Sequence, residues 1–487
     1  MSIPPTPVPP PTTPSQSWWD PGVPNEGQRA RYSDQVEAMI RAFELADHAE
    51  TRRGVKVWVY PDTGDLADTR FIYRTDALLL LDSPEGEAAV YGVLGRTVPA
   101  PDDPRRPRAA TGVTTILLDP DEREFEARAG TRSQVEMALE DLRKDPATEG
   151  LRLTFDALVH LAAGPPQPSS SACPAIEPVP AWGPPVPSVA CDRELGTDVR
   201  VAVIDTGWPD PSLQFAAGHW LHDVTGDTED ILSPGHYRGH GLFVAGVVRT
   251  MAPSATVYVH NFIFTAGGRL ASDLAPLLED VLTSGVDVIS MSAGTVLTLP
   301  DGVVPPDVDV DLAEARLAAT FDSIRSIAAD RDTLLVFAAG NNANDGPFVP
   351  ASLPWADAPA SKVAVGALDQ FGMRAGYSNF GPWVDVYARG TDMVNAYPVG
   401  WYQYEEAPLK GTSANFTSGM AGWSGTSFAT PLVAGLVAAR KSWSGEHPKE
   451  AWASLKRIAD AKAHDGMSVL DPGDADRGFQ PPQGWTP

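Results

Sequence analysis

Ser427 is the residue of this chain best placed to do chemistry. It lies in Gly425-Thr-Ser-Phe-Ala-Thr-Pro431, where a turn runs into the apolar segment 431–439, which predicts a helix. The start of a helix carries exposed N–H groups and the positive end of the helix dipole. That setting suits a nucleophile whose attack builds negative charge on an oxygen atom. A serine here is also typical of a plain helix cap, so the remaining motifs decide between the two interpretations.

Two further side chains could cooperate with this hydroxyl group. Asp205 ends the apolar run 201–204, which predicts a buried strand with the carboxylate at its carboxyl end. Catalytic groups collect at that edge of open α/β sheets. His240 lies between Gly239 and Gly241 at the predicted start of a second helix, where the glycines leave space around the ring. Taken alone, Asp205 could equally be a turn-forming aspartate, and His240 could equally be a solvated histidine.

A side-chain amide follows another predicted strand. The apolar run 334–339 ends in Gly340 and Asn341. Asn341 is either an ordinary turn residue or the amide donor of an oxyanion hole. The loss of such a donor typically costs about 10²–10³ in turnover.

Taken together, these motifs resemble those of the subtilisin-like serine proteases (subtilases). In chain order they are Asp205-Thr-Gly, His240-Gly-Leu-Phe-Val-Ala-Gly, Ala-Ala-Gly-Asn341 and Gly-Thr-Ser427-Phe-Ala-Thr-Pro. The order Asp, His, Ser distinguishes subtilases from the chymotrypsin and α/β-hydrolase families. The resemblance covers roughly residues 195–465.

The resemblance implies a role for each of these residues. Ser427 would attack the scissile carbonyl, His240 would take and return the proton, and Asp205 would fix the imidazole. Asn341 and the backbone N–H of Ser427 would bind the oxyanion. The implied activity is hydrolysis of a protein or peptide substrate through an acyl-enzyme, with no metal or cofactor in the reaction. Structural calcium is frequent in the family, but the sequence assigns no ligands to it.

The resemblance also implies the walls of the pocket for the residue that precedes the cleaved bond. Segments 290–294, 338–340 and 348–354 should form them. The residues expected to bind substrate are Ser292, Ala293, Gly294, Ala339, Gly340 and Phe348. Because well-known subtilases have a glycine near the position of Phe348, we expect this side chain to narrow the pocket and to favour small or medium side chains.

The chain departs from the family pattern directly after the histidine. Subtilases usually have His-Gly-Thr-His there, whereas this chain has Leu242 and Phe243 at the last two positions. Neither side chain carries a polar group. The hydrogen bonds that usually support this region are therefore in question, although the triad itself is intact.

The predicted fold is a doubly wound α/β domain, with a mostly parallel sheet between helices on both faces, preceded by a small α+β domain. The predicted organisation is a disordered Pro-rich tail (1–32), the small α+β domain (33–163), a Pro-rich linker (164–191), the subtilisin-like peptidase domain (192–465) and a C-terminal tail (466–487).

The small domain has a regular predicted element order. It consists of strand 76–82, helix 85–95, strand 112–118, helix 131–144 and strand 151–155. Subtilases commonly carry a pro-domain of similar size at this place, which inhibits the active site until it is removed. The resemblance therefore implies an intramolecular inhibitor. The alternative is an independent domain that stays attached, and the sequence leaves its removal open.

Composition limits the partners and the compartment. With 37 Lys and Arg against 63 Asp and Glu, the formal net charge is −26, so the chain would repel a nucleic-acid backbone. It contains no run of about 18 apolar residues that would predict a membrane span. The N-terminus lacks the basic start and apolar stretch of a signal peptide, which favours a cytoplasmic protein over a secreted one. Cys173 and Cys191 would then be free thiols, whereas an oxidising compartment would allow them to close one loop.

The sequence also allows two rival functions, and it contains a second Gly-Thr-Ser motif. Asp62-Thr-Gly repeats the motif around Asp205, and two such aspartates could share a proton in an aspartic protease. A turn explains Asp62 more simply, because a proline precedes it in a turn-rich stretch. A second Gly-Thr-Ser ends at Ser413, but no apolar helix follows it. The other rival is a catalytically silent subtilase fold that only binds.

Overall fold

The computed structural model describes most of the chain between residues 26 and 479. The described residues are 26–46, 55–60, 62–69, 71–81, 83–100, 102–103, 110, 112–118, 133–161, 177–216, 218–229, 237–263, 267–296, 321–355 and 358–479. The N-terminal domain contains helices α1 (Glu26–Ala46), α2 (Glu87–Val93) and α3 (Gln134–Lys144), and strands β1 (Val57–Tyr60), β2 (Phe71–Leu81), β3 (Val113–Leu117) and β4 (Arg152–His160).

The second domain contains the remaining elements. Its helices are α4 (His240–Met251), α5 (Ala271–Thr283), α6 (Asp322–Ala329), α7 (Thr426–Ser444), α8 (Pro448–Ala461) and α9 (Gly473–Asp476). Its strands are β5 (Val179–Pro180), β6 (Arg200–Asp205), β7 (Val224–Gly226), β8 (Thr256–Asn261), β9 (Gly268–Leu270), β10 (Val288–Met291), β11 (Thr295–Val296), β12 (Leu334–Ala338), β13 (Phe348–Val349), β14 (Lys362–Leu368), β15 (Val386–Arg389), β16 (Met393–Ala396), β17 (Trp401–Gln403), β18 (Ser413–Asn415), β19 (Met420–Trp423) and β20 (Val469–Leu470).

An eight-stranded sheet forms the centre of the second domain. Its strand order is β20-β15-β14-β12-β10-β6-β8-β7, and all neighbouring strands run parallel. Strands that are covered on both faces read as continuous apolar runs, and β10 and β12 are buried along their whole length. The predicted doubly wound α/β fold is confirmed.

The path of the chain through this sheet brings the candidate residues to one edge. From β6 the chain passes through β7 and α4 to β8, which lies on one side of β6, and then through α5 to β10 on the other side. This change of direction makes β6 and β10 a switch point, and ligands bind outside the carboxyl ends of the strands there. Asp205 ends β6, and Ser292 directly follows β10.

The N-terminal domain is an antiparallel sheet that continues into the second domain. Its strand order is β1-β2-β4, with β3 also paired to β2. Helices α2 and α3 cover an apolar core that includes Leu78, Ile116 and Leu139. Beyond this core, β4 pairs with β9 of the second domain. This pairing explains why β4 extends to His160 instead of ending at the expected residue 155.

Both ends of the described chain are more regular than the sequence suggests. Helix α1 begins at Glu26, so residues 26–32 are helical and not part of a disordered tail. The hydroxyl of Tyr32, which donates to the carbonyl oxygen of Thr69 over 2.8 Å, anchors this first part. At the other end, β20 joins the edge of the large sheet and Leu470 is fully buried. Residues 466–479 therefore belong to the second domain and not to a loose tail.

Three negative findings apply to the part of the chain that the structure describes. No helix there is both long and apolar enough to cross a membrane. The same residues contain no group of three or more His, Cys, Asp or Glu side chains that could hold a metal ion. Cys191 is exposed and makes no disulfide bond; Cys173 lies outside the described residues.

Candidate active site

Asp205 and His240 form a buried hydrogen-bonded pair. Nδ1 of His240 lies 2.8 Å from Oδ1 and 2.9 Å from Oδ2 of Asp205. The two side chains are 2% and 0% exposed, respectively. The N–H of Thr206 donates to Oδ1 of Asp205 over 2.8 Å. A carboxylate at Nδ1 fixes the ring and its tautomer, which leaves Nε2 as the proton acceptor.

The glycines on both sides of His240 are required by close packing. Gly239 has φ +76° and precedes the first residue of α4, and a Cβ atom on it would lie 2.7 Å from Cδ of Pro398. A Cβ atom on Gly241 would lie 2.3 Å from the carbonyl oxygen of Gly207. The start of α4 can therefore approach the loop after β6 closely enough for the histidine to reach the aspartate.

An aromatic cluster surrounds the imidazole ring. The centroid of the His240 ring lies 5.0 Å from that of Trp423 and 5.2 Å from that of Phe428. Phe243 packs against Phe428 with a centroid distance of 4.7 Å, and Leu242 is fully buried. Apolar packing, and not hydrogen bonds from positions 242 and 243, therefore supports the histidine in this chain.

Ser427 lies in the first turn of α7, which begins before the predicted apolar segment. Because α7 starts at Thr426, Pro431 lies inside the helix. Proline has no N–H group, so the carbonyl of Ser427, four residues earlier, receives no helical hydrogen bond. The hydroxyl of Ser292 supplies the missing donor over 3.0 Å. Ser292, predicted as a substrate-binding residue, thus holds the main chain of Ser427.

Asn341 is oriented by Thr426, the neighbour of the nucleophile. Its Oδ1 accepts hydrogen bonds from the N–H (2.8 Å) and the hydroxyl (2.9 Å) of Thr426. Its Nδ2 is buried and has no hydrogen-bond partner among the described residues. An unpaired buried donor costs about 1–3 kcal/mol, so its presence calls for an explanation. The orientation suits a donor that pairs with an oxygen atom of the substrate.

The end of β4 lies in a groove between two segments of the second domain. On one side residues 158–160 pair with β9, and the N–H of Leu161 donates to the carbonyl oxygen of Gly267 over 2.8 Å. On the other side, His160 and Gly294 exchange two hydrogen bonds of 2.9 Å each. The N-terminal domain thus supplies the middle strand of a small antiparallel sheet. An extended peptide that binds by strand addition is held in the same way.

This strand brings a peptide carbonyl to the nucleophile. Oγ of Ser427 donates a hydrogen bond to the carbonyl oxygen of Leu161 over 3.3 Å. Within the described chain no hydrogen bond joins this hydroxyl to His240. Ser427 and Leu161 are each only 1% exposed. The main chain of the N-terminal domain therefore covers the nucleophile, a contact that the sequence analysis did not anticipate.

Phe348 lies between two of the glycines that were predicted to line the specificity pocket. A Cβ atom on Gly294 would lie 2.3 Å from its ring, and one on Gly340 would lie 3.0 Å from it. Phe348 is 1% exposed, and Ala293 and Ala339 are fully buried. The structure thus brings these predicted pocket residues together beside the groove.

Asn379 is a supporting residue that the sequence analysis missed. Its Nδ2 donates to the carbonyl oxygen of Ala339, and its Oδ1 accepts the N–H of Asn342, both over 2.8 Å. It therefore fastens the segment that carries Asn341. A buried asparagine in a loop has no periodic pattern that would reveal it.

Two titratable side chains of β4 are buried where the domains meet. Asp156 accepts hydrogen bonds from the N–H (3.1 Å) and the hydroxyl (2.6 Å) of Ser272, at the start of α5. Burial raises the pKa of Asp156 to about 6, against the opposing effect of the positive charge on Arg74. Burial lowers the pKa of His160 to about 4. The two groups therefore respond to pH in opposite directions at the contact between the domains.

Helix α1 makes a second contact between the domains, away from the groove. It meets the segment 401–415, which comprises β17, β18 and the loop between them. Nε of Arg31 lies 2.7 Å from Oε2 of Glu406, and the two side chains are 3% and 2% exposed. Asp34 accepts the N–H of Ala407 over 3.0 Å. This contact joins the N-terminal domain to the second domain outside the groove that holds β4.

The rival catalytic residues lie elsewhere. Oδ1 of Asp62 accepts the N–H of Gly64 over 3.2 Å in a turn. The Asp205 carboxylate contacts the His240 side chain and not Asp62. Ser413 is exposed at the start of β18. The carboxylate pair of an aspartic protease is therefore not formed by the two Asp-Thr-Gly motifs.

A histidine–aspartate pair and a serine at a helix start, on a doubly wound sheet, are typical of serine hydrolases. Comparison with known proteins narrows this class. The profile of the Subtilase family (peptidase S8) matches residues 196–485, which is more than half of the chain. The chain belongs to this family.

Similar proteins include characterised proteases. The thermophilic serine proteinase of Bacillus sp. (strain AK1) is 29% identical over 275 residues, which cover 54% of this chain and 56% of that protein. Subtilisin Savinase of Lederbergia lenta is 30% identical over 263 residues, which cover 51% of this chain and 80% of that protein. The chain thus spans little more than half the length of the first of these relatives.

Solved structures with a related fold include two proteases. A lanthipeptide protease has a TM-score of 0.44 and 19% identity, and the match covers 59% of this chain and 90% of that chain. A cold-adapted subtilisin-like serine proteinase has a TM-score of 0.41 and 22% identity, and the match covers 57% of this chain and 90% of that chain.

Proposed function

We propose that this chain is a serine endopeptidase with Ser427 as its nucleophile. The observation that carries the proposal is the 3.3 Å distance between Oγ of Ser427 and the carbonyl oxygen of Leu161. A peptide that is hydrogen-bonded along both edges, with one carbonyl at a nucleophile, is positioned for acyl transfer. Membership of the subtilase family and the Asp205–His240 pair support the same activity.

The proposed reaction uses four side chains. The hydroxyl hydrogen of Ser427 turns from the substrate carbonyl to Nε2 of His240, which takes the proton as Oγ attacks the carbonyl carbon. Asp205 stabilises the imidazolium, while Nδ2 of Asn341 and the N–H of Ser427 donate to the oxyanion. The C–N bond then breaks, and the amine leaves with the proton from His240. A water molecule, deprotonated by His240, hydrolyses the acyl-enzyme and regenerates the serine.

The preferred residue before the cleaved bond should be of small or medium size. Phe348 is buried against Gly294 and Gly340 and occupies space that a large side chain would need. Leu161, whose carbonyl meets the nucleophile, has a side chain of medium size. Profiling of cleavage sites should therefore give leucine or smaller residues, and a preference for large aromatic residues would contradict this assignment.

The N-terminal domain is, in this proposal, both an intramolecular inhibitor and the first substrate. Residues 158–161 fill the groove by strand addition, so another peptide cannot bind until they leave. The bond that follows Leu161 is the bond presented to Ser427, and its cleavage would separate the domains just before the Pro-rich linker (164–191). Substrate proteins of other origin would follow only after release of the cut domain.

Labelling with a fluorophosphonate probe, which reacts with activated serines, tests the nucleophile. After separation from the cut N-terminal fragment, we expect the wild type and Ser413→Ala to be labelled, and we expect the uncut Ser427→Ala to remain unlabelled. Ser413 is a matched control because Gly-Thr precedes it too, although it is exposed and outside the site. Labelling of Ser427→Ala would contradict the proposal. An unlabelled folded protein, after separation from its N-terminal fragment, would favour a fold that only binds.

A further inference from the structure

Side chains from outside the triad hold the main chain on both sides of His240. The N–H of Gly241 donates to Oγ1 of Thr206 over 3.1 Å. The N–H of Gly239 donates to Oε1 of Glu229 over 2.6 Å. Thr206 follows Asp205 directly, so its role accompanies the Asp-Thr-Gly motif. Glu229 lies in no motif, and its contact with the start of α4 is a separate feature of this chain.

Glu229 is fixed in place by the loop that follows β6. The N–H of Trp208 donates to the carbonyl oxygen of Asp227 over 2.7 Å, and the N–H of Glu229 donates to the carbonyl oxygen of Trp208 over 2.8 Å. Glu229 is 2% exposed. Its second oxygen, Oε2, is buried and has no hydrogen-bond partner among the described residues. Burying a carboxyl group without full hydrogen bonding lowers the stability of the fold, so we infer that Glu229 has a role beyond filling space.

The start of α4 needs an acceptor that it cannot supply itself. The first N–H groups of a helix have no partner within the helix, and a side chain at the N-cap usually accepts one of them. Here the N-cap is Gly239, which makes no side-chain cap and has no room for a Cβ atom beside Pro398. Glu229 supplies an acceptor from a neighbouring loop and anchors the residue next to the catalytic histidine.

We propose that Glu229 is a positioning residue of the active site, which acts through Gly239 to set where His240 stands relative to Asp205 and Ser427. It touches neither the substrate nor the reacting atoms. The inference rests on the proposed peptidase function for its kinetic consequences, but its geometric consequence can be measured without activity.

The ionisation of Glu229 gives this role a signature. Burial raises the pKa of Glu229 to about 8, opposed by the N–H of Gly239, the hydroxyl of Thr206 and the positive charge of Arg238, and favoured by the negative charge of Asp205. The phenol of Tyr397 interacts electrostatically with Glu229. His240 directly follows Gly239, the residue whose N–H donates to Glu229. The carboxyl group is mostly protonated at neutral pH and ionises as the pH rises through about 8. The added charge stabilises the imidazolium, so kcat should rise several-fold there.

The kinetic test compares wild type, Glu229→Gln and Glu229→Ala over the range from about pH 6 to about pH 10. Glutamine has the shape of the protonated carboxyl group and keeps an acceptor for Gly239. For Glu229→Gln we expect kcat to lie within about three-fold of the wild-type value at neutral pH and to lack the rise near pH 8. For Glu229→Ala we expect kcat to fall about ten-fold, with KM changed less than about two-fold. Asp474→Asn is the control for the loss of a buried carboxylate outside the site, because Asp474 is also buried and accepts a main-chain N–H, that of Asp471 over 2.9 Å, although it pairs with Lys462 and Arg477 as well.

The geometric test uses the full-length Ser427→Ala chain, which cannot react. The proton between Nδ1 of His240 and Asp205 should give a strongly downfield proton resonance. This resonance should persist with Glu229→Gln and should shift or broaden with Glu229→Ala. An unchanged resonance and unchanged kinetics in Glu229→Ala would overturn the inference. If that variant does not fold, a wild-type pH profile in Glu229→Gln would overturn it equally. An inactive wild type would refute the peptidase proposal alone, and the resonance would still test Glu229.

Discussion

Main-chain groups near Ser427 and His240 are held by side chains that take no part in the reaction. Ser292 binds the carbonyl of Ser427, Thr206 and Glu229 bind amides beside His240, and Asn379 binds both sides of the segment around Asn341. Displacements of about 1 Å in such a site can cost 10²-fold in rate. The precision of the site therefore depends on these contacts as much as on the triad.

The variant Ser292→Ala should show this dependence. It removes the donor to the carbonyl of Ser427, which Pro431 leaves without a helical partner. An unsatisfied buried carbonyl costs about 1–3 kcal/mol, so the free energy of unfolding should fall by that amount. We expect kcat to fall about ten-fold as the nucleophile shifts. Denaturant unfolding and peptide hydrolysis measure the two effects.

Ser290→Ala is the matched control for this variant. Ser290 is equally buried on the preceding strand, but its hydroxyl has no hydrogen-bond partner in the described chain. Its removal breaks no hydrogen bond, so stability and kcat should stay close to wild type. Equal losses in the two variants would show that the Ser292 hydroxyl has no special role.

At the scale of elements, two segments of the N-terminal domain hold it on the peptidase domain. Strand β4 enters the groove, where in our proposal it is the first substrate. Helix α1 meets the segment 401–415, outside the groove. After a cut behind β4, the contact of α1 remains unchanged. The cut domain should therefore stay bound and continue to inhibit.

The variant Arg31→Leu should weaken this retention. It breaks the buried Arg31–Glu406 ion pair by removing one of its charges, which typically costs about 3–5 kcal/mol. We expect the cut N-terminal fragment to dissociate and peptidase activity to appear earlier. Co-elution of the two fragments on gel filtration, together with the activity time course, measures both.

Two further variants separate the effect of removing a charge from α1 from the effect of disrupting the buried contact with the segment 401–415. Arg41→Leu is the control on the same helix, because the Arg41 and Glu405 side chains are 48% and 25% exposed and surface ion pairs contribute only about 0–1 kcal/mol. The double variant Arg31→Leu/Glu406→Leu should restore retention, since an apolar pair can replace a buried ion pair. Retention by Arg31→Leu equal to wild type would refute the role of α1.

At the scale of the whole molecule, the contact between the domains contains two opposed responses to pH. Burial lowers the pKa of His160 from 6.5 to about 4, so the docked domain binds fewer protons between these values and acidification weakens docking. Burial raises the pKa of Asp156 from 3.8 to about 6, so the docked domain binds more protons there and acidification strengthens docking. Each effect amounts to about 3 kcal/mol, so they nearly cancel.

Single variants should uncover each response. In Asp156→Asn only His160 remains, so the cut fragment should dissociate as the pH falls from about 7 to about 5. In His160→Asn only Asp156 remains, so retention should increase over the same range. Wild type should change little. Co-elution of the fragments at the two pH values measures retention, and identical responses in all three proteins would contradict the account.

The sequence was informative where chemistry coincides with the ends of apolar runs. Asp205, His240, Asn341 and Ser427 each end or begin such a run, and the parallel order of the strands brings them to one edge. The entry of residues 158–161 into the groove had no such signal, because these residues look like the end of any buried strand. Their partner β9 lies far along the chain.

Other features were missed for related physical reasons. Glu229 lies in a polar stretch whose composition suits a turn, and only the folded chain reveals that it is buried. The start of α1 follows a Pro-rich segment, and its anchor Arg31 pairs with a residue of the other domain. Contacts between distant segments leave no periodicity, so a single sequence cannot predict them.

The most direct test of the account is the intact mass and N-terminal sequence of the purified full-length protein and of Ser427→Ala. We predict that the wild type yields two fragments, the second of which begins at Ala162, and that Ser427→Ala remains one chain. A wild type that stays uncut, or a cut at the same bond in Ser427→Ala, would contradict the claim that Ser427 cleaves the bond presented by its own N-terminal domain.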